Sequence, residues 1–224
     1  MGAAQPVVTI SAAYGTGGGF VAPRVAERLG VGFVDRAIPA SVAAELAERT
    51  EEVRAVEDDL GSGLSHWIAF FALAGAAWAG LPAPETGWYH DEASYQQHVA
   101  AVLKREAERG AVILGRGAAI VLRDHPRALH VRLDGPVERR IAQAMDLGGL
   151  DEHSARRAQH QTDTARYRYV HRLYHADVAD RRHYHLSIDA VAVPLATCVD
   201  LIVTAVHGRE ELRRLGEAGR AEGV

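Results

Sequence analysis

The chain reads as an α/β protein, a three-layer α/β/α fold on a parallel sheet covered by helices on both faces. Three observations predict it. Strand-like and helix-like patterns alternate along most of the chain. The strand-like runs are short and continuously apolar, as in sheets buried on both faces. The first strand also runs straight into a glycine cluster that opens a helix, "AAYGTGGGFVA" at residues 12–22.

Taken in order, "VVTIS" at 7–11 is β-branched and forms the first strand. After the glycines, "FVAPRVAERLG" sets Val21, Val25 and Leu29 at helical spacing and stops at Gly30. "VGFVDR" at 31–36 is the second strand, and a helical stretch over 39–56 is broken by "DDLGSG". "HWIAFFALAGAAWAGL" at 66–81, with Trp67, Phe70, Phe71 and Trp78, is the most apolar segment. It is shorter than the roughly 20 residues that span a bilayer, so a buried helix or a contact between subunits of a homo-oligomer is expected. A helix over 94–109 leads to "AVIL" at 111–114, a buried strand that ends at the turn Gly115-Arg116-Gly117. "ALHVRLDGP" at 128–136 is the fourth strand, with a helix from Val137. Residues 151–185 are crowded with Arg, His and Tyr and read as a polar, arm-like helical segment. "YHLSIDA" at 184–190 and a last helix over 194–206 complete the pattern. Ligands of such sheets bind at the carboxyl ends of the strands, which places the glycine loop, Asp35, the turn around Arg116 and Asp189 together.

Composition narrows the function classes. A 224-residue chain with 48% hydrophobic residues can bury a full core as one domain. A formal net charge of −4 gives no general attraction to nucleic acid or to an anionic membrane, so neither is an expected partner. Cys198 is the one cysteine, which excludes a disulfide framework and suits a reducing cytoplasm, and "MGAAQPVVTI" lacks the basic start and apolar core of a signal peptide. Lys104 is the sole lysine, so any lysine-dependent chemistry has a single candidate.

The phosphate loop G-x-x-x-x-G-K-[ST] needs glycines so that main-chain N–H groups can face an anion, and a lysine to meet the β- and γ-phosphates. Here Ala12 replaces the first glycine, Gly17 matches the second, Gly18 stands in place of lysine and Gly19 in place of the hydroxyl. The device survives in part, because Gly15, Thr16, Gly17, Gly18 and Gly19 still present amides at a helix N-terminus. A competing dinucleotide pattern, G-x-G-x-x-[GA], is met by "GGGFVA" with Asp35 as the ribose acid. Its reductase version with Tyr-x-x-x-Lys is excluded, since Ala100 precedes Lys104 by four.

Four ordered blocks resolve the comparison. "VVTISAAYGTGGGFVAPRVAERLGVGFVDR" resembles the start of the cytidylate kinase-like family, in which I-S-R-E-Y-G-S-G-G-R precedes a helix, L-A-E-x-L-G and a second strand ending in Y-D-R. "AVILGRGAAIVL" followed by "ALHVRL" is similar to the V-I-V-G-R-G/C-A block and the strand after it, and "TDTARYRYV" resembles the T-D-x-A-R-x-x-Y-Y lid. The segment "YHLSIDA" is similar to the closing Y-D-L-V-I-N-T strand.

That resemblance implies a P-loop kinase of nucleoside monophosphate kinase type. It would comprise a core at 1–36, 94–145 and 184–224, an acceptor-side segment over about 37–93 and a lid over about 146–183. It implies phosphoryl transfer from ATP with Mg²⁺ to CMP or dCMP, with no other metal. Gly15, Thr16, Gly17, Gly18 and Gly19 would hold the donor phosphates. Asp35, Arg36 and Asp189 would face the acceptor side and Arg116 would grip its phosphate, while Arg166, with Arg172, would cover the transferring group and Asp163 would orient the lid arginine. Arginine suits these roles because its planar fork meets phosphate oxygens in pairs and stays charged.

The chain departs from the family where its arginines flank the loop, since Ala12 and Gly19 stand there. Two alternatives therefore accompany the kinase reading: a nucleotide-binding or scaffolding protein without turnover, and a dinucleotide oxidoreductase. The histidines do not add a metal site, because His171 and His175 share a helix face but Arg172 occupies the glutamate position of H-E-x-x-H.

Overall fold

The computed structural model describes residues 5–35 and 92–221. The expectations for Arg36, for the 39–56 helix and for the 66–81 segment with its aromatic cluster lie outside the described residues, as does nearly all of the acceptor-side segment.

Five strands form one parallel sheet: β1 (Val7–Ala12), β2 (Gly32–Val34), β3 (Ala111–Leu114), β4 (Ala128–Asp134) and β5 (Leu186–Asp189). Their order is β2-β3-β1-β4-β5, so the first strand is central and pairs with β3 through Val7↔Ala111 and with β4 through Val7↔Ala128. Burial on both faces explains the unbroken apolar runs. Val8, Ile10 and Ala12 face a core shared with α1 (Gly18–Leu29) and α6 (Leu195–Ala221). Val7, Ala111 and Ile113 face the opposite core, under α2 (Glu92–Arg109), α3 (Ala118–Val121) and α5 (Glu152–Tyr174). The remaining helix, α4 (Val137–Gly148), follows β4 and packs beside α5.

Several boundaries differ from the sequence reading. α6 continues fifteen residues past the expected end at Val206 because its far part, with Leu212 and Leu215 exposed, has no core to impose apolar periodicity. β2 is shorter than expected, since it is an edge strand with Phe33 and Gly32 exposed. The polar arm is a helix only over Glu152–Tyr174, short of the expected end at 185, and it docks through Ala155, Ala165, Val170 and Leu173. Asp151 starts it by accepting a hydrogen bond from Ser154 N.

Sheet order also corrects the dinucleotide alternative. In the order 3-2-1-4-5-6 the second strand adjoins the first, which brings its terminal acid to the glycine turn. Here β3 intervenes, and Asp35 at the end of β2 stands two strands away from the loop.

One buried polar pair lies between the sheet and its cover. The His130 side chain, 2% exposed, hydrogen-bonds Thr9 Oγ1 through Nδ1 at 2.8 Å and stacks on His185 with ring centroids 4.8 Å apart. Burial first, and then the charges of His185 and Arg209, push its pKa down to about 4. The unfolded chain therefore binds a proton near pH 6.5 that the folded protein refuses. Stability from this site is fully present above pH 6.5 and declines by about 3 kcal/mol as pH falls to 4. Urea unfolding between these pH values should show that slope, and His130→Gln should flatten it.

Candidate functional site

At the carboxyl end of β1 the chain turns through Ala13, Tyr14, Gly15, Thr16 and Gly17 into α1. Gly15 and Gly17 adopt φ of 79° and 69°, which L side chains rarely take. A Cβ at Gly15 would overlap the Arg140 carbonyl, and one at Gly17 would strike Leu195. Thr16 is fully buried, and its hydroxyl donates to Ala13 O at 2.8 Å, so it shapes the turn from within. Among the described residues no acceptor meets the N–H groups of Gly15, Gly17, Gly18 or Gly19. Four amide donors at a helix N-terminus are left for an anion.

The loop carries no cation of its own, yet two guanidinium groups hold it. Arg140 of α4, 5% exposed, donates from Nη1 to Tyr14 O at 2.8 Å and to Asp163 Oδ2 at 2.7 Å, and from Nε to Gly135 O at 2.9 Å. Arg166 of α5 donates to Ala12 O at 2.7 Å and lies 3.5 Å from Asp163. Asp163 joins the two sides, since it also accepts from Tyr14 N at 2.9 Å. Burial works to raise the Asp163 pKa, but the hydrogen bonds from Tyr14 N–H, Gln159 and Arg140 outweigh it, and the carboxyl titrates below its usual range. Gln143 completes the brace, donating to Gly15 O and to Ala190 O beyond β5.

Arg116 sits in the turn after β3 between Gly115 and Gly117, and all three have positive φ, of 81°, 58° and 66°. A non-glycine residue held there stores strain that surrounding packing must support. Tyr174 supplies that packing: its hydroxyl donates to Arg116 O at 3.3 Å and its ring fills the space beside Gly117.

The structure brings Arg116 and Arg166 to one cavity of about 70 Å³, walled by Ser11 and Ala12 of β1 and by Tyr169 and Tyr184. Arg172 is exposed and is not among the lining residues. Asp189 pairs with Arg139 at 2.9 Å and caps the turn after β5 through Val191 N and Ala192 N, while Asp35 is exposed. Sequence reasoning missed Arg140 and Gln143. The available signal was an arginine on the core face of α4, one position before Ile141 and four before Ala144, the helix's other buried residues.

A central β1 feeding a glycine loop into α1, in a five-stranded parallel sheet, defines a P-loop kinase fold of the nucleoside monophosphate kinase type. The chain belongs to the cytidylate kinase-like family, whose sequence profile matches residues 7–191.

One solved structure shares the fold. An uncharacterized protein from Eubacterium ventriosum is 18% identical over 91% of this chain and 99% of its own, with a TM-score of 0.61. Weaker likenesses include a gluconokinase from Sinorhizobium meliloti, 17% identical over 99% of both chains (TM-score 0.45). Another is the shikimate kinase of Acinetobacter baumannii, 16% identical over 90% of this chain and 94% of its own (TM-score 0.42). One curated protein, a uronate isomerase from Corynebacterium glutamicum, is 31% identical over 94 residues. That match takes in 42% of this chain and spans only 18% of the isomerase.

Proposed function

We propose that the protein transfers the terminal phosphoryl group of ATP to a nucleoside monophosphate, CMP or dCMP by its family resemblance. The observation that carries this reading is the meeting of Arg116 and Arg166 in one cavity beside the loop. Phosphoryl transfer depends on positioning and on neutralising charge spread over the transferring group, and two guanidinium groups on facing elements suit that task.

The amides of Gly15, Gly17, Gly18 and Gly19 fit a triphosphate. The fit to Mg²⁺ is incomplete: Gly19 occupies the hydroxyl position, the Thr16 hydroxyl is fully buried inside the turn, and no cluster of metal-ligating side chains occurs among the described residues. The ion would rest on phosphate oxygens and water, and no step is assigned to it.

Turnover should appear as ADP release that depends on one member of a panel of nucleoside monophosphates, and Arg116→Ala should lower it about a hundredfold. The cationless loop favours a second reading, nucleotide binding without turnover. A silent panel together with a melting temperature raised by ATP or CMP would select it.

A further inference from the structure

Far from the glycine loop, a cavity of about 280 Å³ opens at the amino ends of β1 and β4. It lies about 20 Å away along the strands, at roughly 3.3 Å per residue. Arg127, from the turn before β4, and Arg209 and Arg213, from α6, line it together with Glu210, and Pro126 and Val206 form part of its apolar wall. Arg127 is fixed in place, because its guanidinium donates to Gln5 O at 2.8 Å and to Glu108 O at 3.4 Å. Both partners are neutral main-chain carbonyls, so its charge stays uncompensated. Arg209 likewise meets no carboxylate within ion-pair distance among the described residues. Arg209 and Arg213 are four residues apart on α6 and so share a face, where like charges repel. Arg127 and Arg209, neither of which meets a carboxylate among the described residues, stand around a space of small-molecule size with apolar walls and form a receptor for an anion with an organic body.

We propose that this cavity is a second ligand site that binds a small organic phosphate, independent of the glycine loop. The phosphate would sit between Arg127 and Arg209, and the carbon skeleton would lie against Pro126 and Val206.

Titrating the full-length ¹⁵N-labelled protein with glucose 6-phosphate, and separately with inorganic pyrophosphate, tests this. The amides of Leu129, Val206 and Gly216 should shift saturably with the sugar phosphate, whereas those of Gly15 and Gly17 should not. Arg209→Ala, with an unchanged melting temperature, should weaken binding about tenfold, the loss of one charge-assisted contact. Arg127 braces two main-chain carbonyls, so Arg209→Glu is the stronger probe should alanine prove mild, and charge reversal should abolish the shifts. Pyrophosphate binding equal to that of the sugar phosphate would reduce the site to one for bare phosphate and overturn the organic-body part of the assignment. Shifts confined to the glycine loop, or unaltered in Arg209→Glu, would overturn the site itself.

Discussion

Arg140→Leu is expected to lower the unfolding free energy by about 3 to 5 kcal/mol, as removal of one partner from a buried ion pair does. The leucine fills much of the volume but leaves the Asp163 carboxylate without its shortest hydrogen bond and strips donors from Tyr14 O and Gly135 O. Asp163 and the two carbonyls are half-buried, so water replaces the guanidinium only in part. The urea midpoint should fall with little change in slope. Arg140→Leu combined with Asp163→Leu should lose less than the sum of the two single changes, because no orphan charge remains. A single-variant loss under about 1 kcal/mol would mean that water already solvates this network and that Arg140 does not hold the loop.

The same network shows what the sequence made legible. Continuous apolar strands and a glycine turn opening α1 are local signals, and they placed β1, β3 and β4 with Arg116 at a strand end, whereas Arg166 was reached only through the family resemblance. Arg140 was hidden because its meaning is tertiary: "ERRI" reads as an ordinary charged helix start until Tyr14 O and Asp163 are found against it. Asp163 appeared in sequence as a partner of Arg166 alone, yet its shorter contacts are with Arg140 and Tyr14 N. The length of α6 was lost for the opposite reason, since an exposed helix carries no burial pattern to read. Sheet order was not written locally either, and it alone separated Asp35 from the glycine turn.

Restoring a single charge to the loop should raise activity more than any other substitution. The family pattern I-S-R-E-Y-G-S-G-G-R sets arginines at the positions of Ala12 and Gly19, and the two sites are not equivalent here. Ala12 is 4% exposed, with Arg166 bonded to its carbonyl, so a long side chain cannot enter. Gly19 is exposed in the first turn of α1, and a Cβ built there meets nothing within 4 Å. Gly19→Arg should therefore fold, and relief of the backbone entropy of a helical glycine should stabilise it by about 0.5–1 kcal/mol. The new guanidinium would stand beside the unpaired amides of the loop, where charge accumulates on the transferring phosphoryl group. One well-placed stabiliser of developing charge is worth about 10² to 10³ in rate, and the coupled ADP-release assay should rise by that order with the best acceptor. Gly19→Gln, similar in length and neutral, should match its stability gain without the rate gain, which separates charge from helix propensity. If Gly19→Arg folds, binds ATP and gains no rate over Gly19→Gln, the loop does not cradle the transferring group, and the binding reading replaces the kinase one.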